Sequence, residues 1–314
     1  MSDLTRLLAL ALANPDAKMA LATVTSTWGS APRPCGSHML VLENGRFEGS
    51  VSGGCVENAV MTEVADVISN NRFLTRRYGV TNESAWAVGL PCGGEIEVMI
   101  QPVSPNGFRQ ELFSRLAAAQ ADGEPVQLTT DAMGHTSEQL GGSGFVNIYR
   151  PPRRMLIVGA VQIAQSLAVI AQEVGMRVTL IDPRGLYLTP ERFPGITLDS
   201  RWPDEAVAAL VPNNSTAVVT LSHDTKLDDP ALAAALRAPT GYIAALGSRR
   251  SHATRLQRLS LLGFTSAELQ RIEGPAGLKI GAVGSSEIAL SIIASAVKEL
   301  TAGEHALPDA AYTS

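Results

Sequence analysis

Met155-Leu156-Ile157-Val158-Gly159-Ala160-Val161-Gln162-Ile163-Ala164 opens the second half of the chain, and its reading decides the fold. Four apolar residues without alternation suit a strand in a parallel sheet, where helices cover both faces. Gly159 turns the chain. Ile163, Leu167, Ile170, Ala171 and Val174 then recur at helical spacing, and Gly175 is a good C-cap. Arg177-Val178-Thr179-Leu180-Ile181-Asp182 is the next strand and ends on an acid. Strand, glycine turn, helix, strand and acid, in that order, resemble the opening of a dinucleotide-binding fold. The spacing from Gly159 to Asp182 suits a carboxylate reaching a ribose. One position departs from the fingerprint: Val161 replaces the second glycine, and its branched side chain fills the gap through which backbone would approach a pyrophosphate. Ala164 is acceptable at the third position. The segment predicts the fold and argues against tight NAD(P) binding.

Outward from this segment, residues 216–222 and 242–246 read as further strands, with helices between them and a last helix over 286–300. This alternation predicts an α/β, Rossmann-like, doubly wound parallel sheet over residues 151–314. Ser222-His223-Asp224 and Gly247-Ser248-Arg249-Arg250 each follow a strand whose C-terminal end should face the ligand crevice. Ser248, with Arg249 or Arg250, is placed to hold a phosphate through helix N–H groups and charge. A solvated helix start with ordinary surface arginines fits the same residues. His223 is either structural or in contact with ligand.

Tyr149-Arg150-Pro151-Pro152-Arg153-Arg154 is a stiff linker, because proline joins neither neighbouring element easily. It sets the expected boundary between residues 1–150 and 151–314. The first 150 residues read as an α+β domain rich in strands. Asn44-Gly45 between apolar runs predicts a hairpin. Val56, Val60, Val64, Val67 and Ile68 predict an amphipathic helix. In residues 95–103, Ile96, Val98 and Ile100 alternate with Glu95, Glu97 and Met99, so one face of that strand should be wet.

The first domain carries its own site candidates. Gly49-Ser50-Val51-Ser52-Gly53-Gly54-Cys55-Val56-Glu57 places a thiol at an expected helix N-terminus beside free backbone N–H groups. Such groups attract anions and favour a thiolate over a thiol. Gly89-Leu90-Pro91-Cys92-Gly93-Gly94 repeats the theme before a strand. Cys55 and Cys92 could serve a soft metal, a sulfur or an anionic ligand, or be small buried apolar residues. In Thr27-Trp28-Gly29-Ser30-Ala31-Pro32-Arg33-Pro34, two prolines stiffen the backbone around Arg33. That lowers the cost of ordering it on an anion, or simply makes a rigid turn. Cys35 belongs to no glycine nest and reads as incidental.

Composition sets bounds. The 314 residues are 45% hydrophobic and 18% charged, enough for two buried cores. A net charge of -5 and 5% aromatic content argue against nucleic acid as a partner. Three cysteines without a Cys-x-x-Cys pair indicate neither a disulfide framework nor a zinc knuckle, and fit a reducing cytoplasm. The apolar run over residues 7–13 reads as a short buried helix that stops at Asn14-Pro15. No run approaches the ~20 residues of a membrane span.

These motifs together resemble the XdhC/CoxI-type family of xanthine dehydrogenase accessory factors. The resemblance rests on Gly29 to Arg33, on the Gly-Gly-Cys loop at Cys55 and on the Cys-Gly-Gly loop at Cys92. In the second half it rests on Ser222-His223-Asp224, Leu246 to Arg250, Gly274-Pro275, Gly277 to Ala282 and Glu287-Ile288-Ala289. It spans about residues 20–300. It implies a chaperone that binds the molybdenum cofactor (molybdopterin) as cargo, supports its sulfuration and delivers it to an apo-hydroxylase of the xanthine or carbon monoxide dehydrogenase type. A cysteine desulfurase would be a further partner, and a homodimer is plausible. On this reading the cofactor's molybdenum end lies near Cys55 and Cys92. Its phosphate lies on a glycine-rich helix start, Gly53-Gly54, or near Ser248 and Arg249. Arg33, Gly93, His223, Gly159 and Asp182 complete the candidate set. Two departures stand out: the family's usual Gly-Ala-Gly-His is Gly159-Ala160-Val161-Gln162 here, and its Pro-Gly is Pro34-Cys35. Two alternatives remain: an NAD(P)-dependent oxidoreductase, and a cofactor-free scaffold that docks a hydroxylase and a sulfurtransferase.

Overall fold

The computed structural model describes residues 3–54, 56–79, 94–138, 143–304 and 311–313. The chain divides into two compact units, Ser2–Pro151 with Pro308–Ser314, and Pro152–Leu307.

The first unit begins with helix α1 (Asp3–Ala13), followed by strands β1 (Met19–Trp28), β2 (His38–Leu42) and β3 (Phe47–Gly49). Helix α2 (Glu57–Asn70), strands β4 (Leu74–Tyr78) and β5 (Glu95–Pro102), and helix α3 (Glu111–Asp122) follow. Strands β6 (Val126–Thr130), β7 (Thr136–Ser137) and β8 (Gly144–Tyr149) complete this stretch. The order β3-β2-β1-β5-β4 makes a fully antiparallel sheet. The β2–β3 hairpin turns at Asn44-Gly45, where Gly45 has φ +83° and donates its N–H to the Leu42 carbonyl at 2.9 Å.

Central strand β1 is buried on both faces, which explains its lack of polar alternation. Ala20, Ala22 and Val24 meet Val60, Val64 and Val67 of α2. Met19 and Leu21 meet α1, α3 and the second sheet through Leu7, Phe113, Leu128 and Tyr149. The same double cover corrects the expectation of a wet face on β5. That face is solvated only as far as Glu97; Met99 is 4% exposed and Gln101 1%. Gln101 is satisfied there by donating to the Gly134 carbonyl at 2.6 Å and to Thr136 Oγ1 at 2.9 Å.

The second unit consists of β9 (Arg154–Val158), α4 (Gln162–Glu173), β10 (Arg177–Ile181), β11 (Thr197–Asp199), α5 (Pro203–Ala209) and β12 (Thr216–Thr220). It continues with α6 (Thr225–Arg237), β13 (Tyr242–Ala245), α7 (Arg249–Leu261), α8 (Ser266–Leu269), β14 (Ile272–Glu273) and α9 (Ser285–Glu304). Its sheet, β11-β10-β9-β12-β13-β14, is parallel throughout. In local numbering this is 3-2-1-4-5-6, the Rossmann order, which reverses direction between β9 and β12. One apolar cluster joins the sheet to α4 and α9. A second joins its other face to α5, α6 and α7. All five residues of β12 are buried. Gly175, at φ +84°, closes α4 as expected, and the following Met176 N–H reaches the Ala171 carbonyl at 2.9 Å.

A last strand, β15 (Ala311–Thr313), pairs antiparallel with β8 and extends the small sheet to β15-β8-β6-β7. Among the described residues no helix is long and apolar enough to cross a membrane.

Candidate functional site

In the first unit the glycine-serine loop between β3 and α2 is organised by one side chain. Glu57, the first residue of α2, folds back over the loop. Its Oε1 accepts from Ser50 Oγ at 2.5 Å, from the Val51 N–H at 3.2 Å and from the Ser52 N–H at 3.0 Å. Its Oε2 accepts from Ser52 Oγ at 2.5 Å and from the Gly54 N–H at 2.9 Å. The Gly53 N–H is taken by Ser50 Oγ at 2.7 Å. Burial alone would raise the Glu57 pKa, but the donors from Ser50 and Ser52 outweigh it and bring it to about 2. The loop is therefore an anion-binding nest, as its composition suggested, but the anion is the chain's own carboxylate. The Gly53 and Gly54 N–H groups, candidates for an external ligand, donate within the loop in this structure.

Three glycine-bearing loops meet here. A Cβ on Gly53 would lie 3.9 Å from Pro32 Cβ. A Cβ on Gly94 would lie 2.6 Å from the Ser30 carbonyl oxygen and 3.0 Å from that of Trp28, so only glycine allows the approach. Arg33 joins the loops: its Nε donates to the Ser50 carbonyl at 3.3 Å, and Nη2 pairs with Asp3 of α1. Arg33 thus acts as a brace, not as an uncommitted cation. Cys35 Sγ contacts the Thr25 carbonyl at 2.9 Å. Cys55, Cys92 and Gly93 lie outside the described residues.

In the second unit the acid of the dinucleotide fingerprint is committed to the chain itself. Gly159 has φ +104°, and a Cβ there would lie 2.9 Å from the Ser222 nitrogen. Asp182 is fully buried. Its Oδ2 accepts from the Ala160 N–H and from Arg184 Nη2, each at 2.7 Å. Its Oδ1 accepts from the Arg184 N–H and Nε, each at 2.9 Å. These bonds outweigh burial and hold the carboxyl below its usual range. Asp182 therefore ties the β9–α4 turn to Arg184 instead of extending toward a ribose.

The open space lies one turn further along the sheet. A cavity of about 360 Å³ is lined by His223, Asp228, Ser248, Arg250, Arg255 and Arg258, among others. His223 occupies the β12–α6 turn at φ +60°. Ser248 caps α7 by accepting the Ser251 N–H at 3.1 Å. Arg250 lines the cavity and Arg249 does not, because successive helix positions point about 100° apart. Asp228 Oδ1 accepts from Ser222 Oγ at 2.6 Å. Burial pushes the Asp228 carboxyl above its usual pKa, although Ser222 and Arg255 oppose the shift. Arg258 makes two bonds to Asp229, at 2.5 and 3.0 Å. Arg255 is only 4% exposed. Its Nη2 donates to the Leu246 carbonyl at 3.0 Å and lies 3.8 Å from Asp228 Oδ2, whereas Nε and Nη1 are buried with no hydrogen-bond partner. The sequence held a sign of this site: Ser248, Ser251, Arg255 and Arg258 recur every three or four residues, a polar stripe along one helix face.

Comparison with known proteins gives a consistent picture. A family model described as the XdhC Rossmann domain matches residues 155–296, and one described as the XdhC and CoxI family matches residues 12–79. The molybdenum cofactor insertion chaperone PaoD of Escherichia coli (strain K12) is 32% identical over 283 residues, covering 87% of this chain and 81% of that protein. A Bacillus subtilis (strain 168) protein, named as a probable component of xanthine dehydrogenase, is 26% identical over 320 residues, covering 92% of this chain and 95% of that protein. A crystal structure of a Bacillus halodurans protein, described as a xanthine dehydrogenase, shares the fold. Its TM-score is 0.79 at 24% identity, with 96% of each chain covered.

Proposed function

The chain belongs to the XdhC and CoxI family, and on that premise we propose that it is a maturation chaperone for a molybdenum hydroxylase. It binds the molybdenum cofactor as cargo, keeps it competent for sulfuration and passes it to an apo-hydroxylase of the xanthine dehydrogenase type, working in the cytoplasm with a cysteine desulfurase as sulfur source. The observation that carries this reading is the 32% identity, over 87% of the chain, to a protein named for molybdenum cofactor insertion. The packing of Gly94 on the Trp28–Ser30 backbone and of Gly53 near Pro32 of the same loop supports it, since in sequence Cys92 precedes Gly94 by two residues and Cys55 follows Gly53 by two. Thiolates from these loops would be soft ligands for molybdenum, or carriers of sulfur. Glu57 then has a defined part: it holds Ser50 to Gly54 in one arrangement through five hydrogen bonds.

The oxidoreductase alternative finds no support at the dinucleotide position. Val161 stands where a pyrophosphate needs glycine, and both Asp182 oxygens are taken. The test is expression in a host that makes the cofactor, followed by anaerobic purification and assay for bound pterin and molybdenum. Both should co-purify, and Cys55→Ala with Cys92→Ala should lower bound cofactor and the activity of the client hydroxylase. Neither pterin nor metal on the purified protein would overturn the reading. A stable complex with hydroxylase that ignores both cysteines would favour the docking-scaffold alternative.

A further inference from the structure

We infer that the cavity between the β13–α7 turn and α6 binds the phosphate group of a phosphate ester, with Arg255 as its buried anchor. A guanidinium carries five N–H donors in a planar fork and is not deprotonated in proteins. That of Arg255 is almost wholly removed from water, yet Nε and Nη1 meet no acceptor. Arg255 lines the cavity, and leaving charged donors unpaired in the interior is costly, so an acceptor brought within their reach would recover a large penalty. The nearest carboxylate is not that acceptor: Asp228 Oδ2 stands at 3.8 Å, and Oδ1 is committed to Ser222.

A second feature points the same way. Helix α7 is 13 residues long, and its N-terminus opens at this cavity. Ser248 Oγ satisfies the Ser251 N–H. The N–H groups of Arg249 and Arg250 have no acceptor inside a helix, and the helix dipole adds partial positive charge at that point. Arg258 is neutralised by Asp229. Arg250 has no ion pair among the described residues and adds an uncompensated cation at the rim. Buried guanidinium, rim guanidinium and helix N-terminus converge on one anion, and a tetrahedral dianion can accept from all three at once, as a carboxylate cannot. The volume of about 360 Å³ leaves room for part of the esterified molecule beyond the phosphate. The site also lies at the carboxyl ends of the parallel strands, where this fold binds ligands, but away from the first βα turn, where Asp182 takes the Ala160 N–H.

The ester could be the pterin cargo or a separate phosphorylated metabolite. The test is therefore made first with inorganic phosphate, on full-length protein from a host that makes no molybdenum cofactor. Titration calorimetry at constant ionic strength should show saturable binding that chloride does not mimic. Arg255→Gln and Ser248→Asp should each weaken it at least tenfold, and Arg250→Ala should weaken it several-fold. Arg72→Ala, at an exposed ion pair of the first unit, should leave it unchanged. If Arg255→Gln does not fold, the Ser248 and Arg250 variants carry the test. Absence of saturable binding, or variants that titrate like the wild type, would overturn the inference. In the second arm phosphate is added to cargo-loaded protein: release of pterin identifies the cargo as the ester, and phosphate binding without release identifies a separate ligand. Failure of the chaperone reading would show as absence of pterin with phosphate binding intact.

Discussion

At the scale of single residues, two buried titratable groups make opposite use of their surroundings. Glu57 is kept ionised by donors from Ser50, Val51, Ser52 and Gly54, with a pKa of about 2 against an ordinary 4.5. A depressed carboxylate pKa adds stability that is complete above about 4.5 and is lost as the pH falls toward 2. Glu57→Gln keeps the shape but loses the charge. It should cost about 2 kcal/mol in urea unfolding at neutral pH and flatten the acid profile in that window. His38 is kept neutral instead. Burial pushes it down to about 4 from 6.5. Asn147 Nδ2 faces its Nε2 at 3.0 Å and Thr23 Oγ1 faces Nδ1 at 2.9 Å, so the neutral ring donates from Nδ1, and a proton on Nε2 would oppose the amide. The protein should therefore lose stability as the pH falls from about 6.5 toward 4, and His38→Gln should shrink that slope in a pH series of thermal melts. Neither role could be read from residue order. Glu57 is one acid after a cysteine, and its five donors become visible only when the loop is closed. Arg255 is one arginine among several until its burial is known.

At the scale of elements, the helix starts carry the chemistry. Ser248 both caps α7 and borders the cavity, and one pair of substitutions separates the two roles. Ser248→Ala removes the cap and should lower stability by about 1 kcal/mol. Ser248→Asp keeps a capping oxygen and most of the stability but places a negative charge where an anion would sit. Denaturant midpoints should therefore fall for Ala and hold for Asp. The elements of the second unit were legible in the sequence, because fully buried strands such as Met155 to Val158 leave uninterrupted apolar runs and Gly175 marks a helix end. The small sheet of the first unit was not. Val126 to Thr130 is short and mixed in polarity, and its burial depends on β8, some twenty residues later. The apparent wet face of β5 misled for a related reason: Glu95 and Glu97 set the pattern, but further along the same face Met99 and Gln101 are buried, Gln101 with partners at Gly134 and Thr136.

At the scale of the whole molecule, each unit has its own apolar interior, but the chain is not partitioned in sequence as cleanly as in space. β15 (Ala311–Thr313) belongs to the sheet of the first unit and pairs with β8, whereas everything from Pro152 to the end of α9 lies in the other. Removing residues 305–314 should leave β8 with an uncovered edge, and size-exclusion chromatography should show more self-association than the full chain gives at the same concentration. Order of synthesis sharpens the point. About 160 residues separate β8 from its outer partner. At a ribosomal rate of about 5–20 residues per second the nascent first unit waits roughly 10–30 s for that strand. Throughout that interval a hydrogen-bonding edge faces the crowded surface of the polysome, so this three-residue strand acts as a seal that only synthesis beyond α9 can supply.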